Sequence, residues 1–80
     1  MDEKQILDKI QNVLIDHNLR QPRDYVITSY NKGCCLITLC PHRYAILDIQ
    51  YFYDMIPDIK VFRIKQKRDV VEINIKVKMR

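Results

Sequence analysis

In residues 59–67 and 70–79 apolar and polar side chains alternate almost without a break. Strands with that period have one buried face and one wet face. A turn at Arg68-Asp69 pairs the two runs into a hairpin. The pairing sets Ile64 opposite Ile73, Phe62 opposite Ile75, Lys65 opposite Glu72 and Arg63 opposite Asn74. One face then carries Phe62, Ile64, Val71, Ile73, Ile75, Val77 and Met79. The other carries Arg63, Lys65, Lys67, Glu72, Asn74, Lys76, Lys78 and Arg80. The rest of the chain must supply the layer that covers the apolar face. With 80 residues in all there is room for one core, so residues 1–80 are expected to form a single small domain.

Residues 3–17 supply an amphipathic helix. Ile6, Leu7, Ile10, Val13, Leu14 and His17 recur at helical spacing, with Glu3, Lys4, Asp8, Lys9, Gln11 and Asp16 on the opposite side. Asp2 and Glu3 suit the positive start of a helix, and Asn18 is a natural stop. Residues 24–30 and 34–40 read as a second hairpin around Asn31-Lys32-Gly33. A three-residue loop there pairs Tyr30 with Cys34 and Ile27 with Ile37. Tyr25, Ile27, Cys35, Ile37 and Leu39 then share the core face.

After Pro41-His42-Arg43 the apolar run 44–49 reads as a third strand, with Ala45 opposite Leu39 and Leu47 opposite Ile37. A helix over 44–55 is the competing reading, because short apolar runs carry no period. A short helix over about 49–55 follows, started by Asp48 and ended before Pro57. The expected class is α+β: an N-terminal helix, a three-strand antiparallel meander, a short helix and a C-terminal hairpin. The helix–meander–helix order resembles that of double-stranded-RNA-binding domains. Their lysine cluster at the start of the second helix is replaced here by Asp48-Ile49-Gln50-Tyr51, so that assignment is not made.

Charge is unevenly spread. The net charge is +4, but residues 60–80 hold eight basic residues against Asp69 and Glu72, which leaves the first 59 residues at −2. The start is acidic and has no apolar run of a secretory kind, and no stretch approaches the ~20 residues that span a bilayer. A cytoplasmic protein with reduced thiols is the expectation, since three cysteines do not make a disulfide framework.

The segment from Cys34 to His42 invites a zinc reading. On a strand, however, Cys34 and Cys40 stand about 20 Å apart, and Cys34 and Cys35 point to opposite faces. Only Cys40 and His42 could share a metal, so no metal or other cofactor is expected. His17 reads as a half-buried helix-end histidine. Asp48, Asp54 and Asp58 read as a cap and turn residues rather than metal ligands. Gly33 is the only glycine, so there is no phosphate-cradling loop, and no catalytic residue is assigned.

Two binding readings remain. The first is contact with nucleic-acid phosphates through Arg63, Lys65, Lys67, Arg68, Lys76, Lys78 and Arg80, on a face with no aromatic residue for base stacking. The alternative is a protein-interaction module. It could be a small regulator or inhibitor of the kind viruses and mobile elements encode, using ring surface at Tyr51 and Tyr53. It could equally be a homodimer joined through the last strand, if that strand is an edge.

Overall fold

The computed structural model describes residues 3–78, the side chain of Glu3 excepted. Helix α1 spans Glu3–Asp16. It buries Ile6, Ile10, Val13 and Leu14, with Leu7 packed at the margin. Asn18 ends it in the left-handed conformation at φ 64°, and the Leu19 N–H returns to the Leu14 carbonyl at 3.1 Å.

Strands β1 (Tyr25–Asn31) and β2 (Cys34–Leu39) form the first hairpin. Its loop differs from the expected one. Lys32 and Gly33 both have positive φ, 50° and 78°, which is the two-residue turn that matches strand twist. Asn31 therefore faces Cys34, and Tyr30 faces Cys35 rather than Cys34. A bulge between Ile27 and Ser29 absorbs the extra residue, so Ile27 still faces Ile37 as expected. The bulge also shifts the side-chain phase. Tyr25, Ile27 and Tyr30 all pack toward the core across it.

The expected strand over residues 44–49 is not formed. Pro41–Ile46 is a 3-10 helix, with proline at its start where a fixed φ is favourable. Ala45 and Ile46 are exposed, and Ala45 does not lie opposite Leu39 nor Leu47 opposite Ile37. The reason lies at the other end of the chain: strand β4 (Val71–Val77) occupies the edge of β2 that a third meander strand would need. Helix α2 spans Ile49–Met55 as expected. The Asp48 carboxylate accepts the Tyr51 N–H at 3.3 Å, and Ile56 leaves helical geometry before Pro57. Phe52 is the fully buried residue of α2.

Strand β3 (Ile59–Gln66) pairs with β4 in the expected register: Ile64 with Ile73, Phe62 with Ile75, Lys65 with Glu72 and Arg63 with Asn74. A bulge at Lys60 brings Val61 opposite Lys76. Met79 and Arg80, placed on the two faces of the last strand by the sequence pattern, lie outside the described residues.

The sheet order is β1-β2-β4-β3, all neighbours antiparallel. The last strand is thus not an edge. It is paired along both sides, and a homodimer through it has no free backbone to use. The edges are β1 and β3. Both helices lie on one side, where buried side chains from α1, α2, β1, β2 and β4 form one cluster and Ile59, Phe62 and Ile64 of β3 pack against it half-buried. Among the described residues no helix lies on the opposite side of the sheet. Of the described helices, none is long and apolar enough to cross a membrane.

Candidate nucleic-acid interface

The register places Arg63 and Lys65 of β3, and Glu72, Asn74 and Lys76 of β4, on the uncovered side. Arg63, Lys65, Asn74 and Lys76 are exposed there, and Glu72 is half-buried. Strand β2 contributes Cys34, Leu36 and Thr38, opposite Lys76, Asn74 and Glu72 respectively. The sequence alternation located the basic residues. It did not locate Cys34 and Leu36 beside them, because the β2–β4 pairing joins segments far apart in sequence and leaves no local signal.

The cations are ordered along the strands. Lys65 stands on the rung shared with Glu72, and Arg63 on the rung shared with Asn74. Lys76 is on the next rung of that side, opposite Val61. Lys78 comes one such rung further, where its N–H meets the Asp58 carbonyl at 2.9 Å. One cation on every second rung, about 6.6 Å apart along the strand direction with one diagonal step of about 8 Å from β3 to β4, makes a row roughly 20 Å long.

Glu72 is the one carboxylate of these two strands. Lys67 holds it at 3.0 Å, with both groups partly exposed. That pair contributes little stability, but it answers the acid with a lysine outside the row. Arg68 sits exposed in the turn with Asp69. Arg80, also assigned to this face from sequence, lies outside the described residues. Between Arg63 and Lys76 the surface dips into a hollow of about 270 Å³, lined also by Cys34, Val61 and Asn74. A larger hollow, about 450 Å³, lies away from the row, between α1 and residues 19–21. It mixes Asp8 with Arg20 and gathers no convergent set of one charge.

The other sequence candidates have local explanations. Tyr51 is half-buried. Its hydroxyl donates to Asp16 at 2.7 Å, and that bond, followed by desolvation, raises its pKa. Its ring meets His17 edge-on. The imidazole of His17 stacks on Phe52, its Nδ1–H donates to the Val13 carbonyl at 2.8 Å, and its Nε2 accepts the Asp48 N–H at 3.0 Å. Tyr51 and His17 therefore tie α2 to the end of α1. Tyr53 is exposed and leans on Phe62. Asp54 accepts from the Gln50 amide at 2.9 Å. The three thiols are free. Cys34 is exposed, the Cys40 thiol donates to the Arg23 carbonyl, and burial pushes the Cys35 thiol up to about 12. Among the described residues no three histidines, cysteines or acids come together as metal ligands would.

The sequence pattern gave no warning of Asp24. It is almost fully buried, yet accepts the Arg20 N–H at 2.9 Å and the Arg43 guanidinium at 3.1 Å, with Arg23 at 3.6 Å. The Arg20 bond and the nearby arginines outweigh desolvation and hold its carboxyl below the ordinary value.

These elements define an α+β protein of two layers, helices on one side and an open, partly basic sheet on the other. No protein-family model matches the chain, and no curated protein or solved structure is similar enough to count as a match.

Proposed function

We propose that this is a non-catalytic binding protein that contacts nucleic-acid phosphates through the open side of its sheet. The observation that carries the reading is the row Lys65, Arg63, Lys76, Lys78, one cation on each of four alternate rungs that share the open side. Its repeat is comparable with the distance between successive phosphates on an extended strand. Long lysine side chains take up the remaining mismatch. Such contacts position a backbone and read no bases. The described open side has no aromatic ring, so base stacking adds nothing there. Binding should be weakly dependent on sequence.

Mobility-shift titration with a single-stranded oligonucleotide and a duplex, at about 50 mM salt, tests the reading. The wild type should be retained. Lys76→Glu combined with Lys78→Glu should abolish retention without unfolding, since both residues face solvent. Lys4→Glu combined with Lys9→Glu, on α1, should leave it unchanged. Absence of any shift with the wild type overturns the reading.

A further inference from the structure

We infer that the outer edge of β3 is a docking strand for an extended segment of another protein that alternates acidic and apolar side chains. In an antiparallel pair only alternate residues bond the neighbouring strand. The Lys67 N–H bonds the Val70 carbonyl, which fixes the phase. Lys65, Arg63 and Val61 then bond β4, while the N–H and C=O groups of Phe62, Ile64 and Gln66 point away from it. No described residue bonds those groups from outside.

The other edge is blunted. On β1 the Ile27 N–H is met by the Gln21 side chain at 3.4 Å, and the bulge that follows breaks the ladder. On β3 the ladder runs unbroken from Val61 to Gln66. The two sides of this edge specify the occupant. Toward the helices stand Phe62 and Ile64, half-buried, with Tyr53 leaning on Phe62 at 6.0 Å between ring centres. Toward the open side stand Arg63, Lys65 and Lys67. A strand added here sets alternate side chains beside apolar surface and the intervening ones beside cations. A second copy of β3 would set Arg63 and Lys65 against like charges, which disfavours self-pairing. An acidic partner gains from the same residues. Backbone bonds would supply affinity, and the two rows of side chains specificity.

This inference does not rest on the phosphate-binding reading, and the two are separable by experiment. The probe is an end-blocked hexapeptide alternating valine and glutamate, with a valine–lysine hexapeptide as control, followed by amide hydrogen exchange and fluorescence anisotropy. The acidic peptide should bind saturably and slow exchange at Phe62, Ile64 and Gln66. The lysine peptide should do neither. Ile64→Pro removes an outward N–H while sparing every bond to β4. It should weaken peptide binding about tenfold or more, the equivalent of one good hydrogen bond, yet leave oligonucleotide retention intact. Lys76→Glu with Lys78→Glu should do the reverse. Arg63→Glu with Lys65→Glu should transfer binding to the lysine peptide. Unchanged exchange at the three outward amides in saturating acidic peptide overturns the inference, and this measurement needs only the wild type. Equal binding by a folded Ile64→Pro variant also overturns it, because the peptide would then be lying on the basic face.

Discussion

The guanidinium of Arg43 donates to the carboxylate of Asp24 at 3.1 Å, across nineteen residues of sequence, and anchors the 3-10 helix to the start of β1. Asp24 is 2% exposed, so this contact replaces water that the carboxylate has lost. Its pKa is lowered, chiefly by the Arg20 N–H, so the ionised form is the one the fold stabilises. That contribution is complete above the ordinary value of 3.8 and is lost as pH falls below it. Urea denaturation of wild type and Asp24→Asn should show the wild type more stable at neutral pH. The gap should close as pH drops under 3.8. A gap unchanged down to acid pH would mean the carboxylate charge does not matter.

Packing of the central strand gives a second expectation. Ile73 and Ile75 are fully buried on β4, with β2 and β3 on either side. Truncating either to alanine should destabilise by roughly 2–5 kcal/mol. Lys76→Ala, between Cys34 and Val61 on the open side, should change stability by less than about 0.5 kcal/mol. Chemical denaturation of the three variants measures this, and a costlier lysine change would contradict the assigned faces.

Much of this fold was legible because it is written in local periods. The register of β3 on β4 follows from strict alternation and a two-residue turn. The buried side of α1 follows from Ile6, Ile10, Val13 and Leu14, and the start of α2 from Asp48. What failed was decided at a distance. Tyr44-Ala45-Ile46-Leu47 has no period of its own. Whether it forms a strand depends on which strand reaches β2, and β4 does. The same insertion moved the sheet's edge from β4 to β3, which the alternation of a single hairpin cannot reveal. The basic row was legible as residues but not as a row, because its rungs depend on the bulge at Lys60 and on Lys78 meeting Asp58.

The thiols should react in order of exposure. An aromatic disulfide reagent added to native protein should label Cys34 first and Cys40 more slowly, with Cys35 labelled only on unfolding. Burial raises the Cys35 pKa from 9.0 to about 12. A raised value means the neutral thiol's contribution is complete below 9.0 and is lost as pH climbs from there toward about 12. Wild type should therefore lose more stability over that range than Cys35→Ala. Rapid native labelling of Cys35 would contradict its placement under the helices.

The turn between β1 and β2 should be sensitive to one methyl group. Gly33 is buried at φ 78°, where an L-residue's Cβ crowds the backbone. Gly33→Ala should destabilise by about 1–2 kcal/mol in thermal unfolding. A neutral result would mean the turn relaxes to the longer loop.

The most direct test of the phosphate-binding account is the salt dependence of oligonucleotide affinity. With Lys65, Arg63, Lys76 and Lys78 each neutralising one phosphate, log K against log salt should fall with a slope of about −2.8 on a single strand and about −3.6 on a duplex. Lys76→Glu with Lys78→Glu should leave no measurable binding. A slope near zero, or a double variant that binds as tightly as the wild type, would contradict the account.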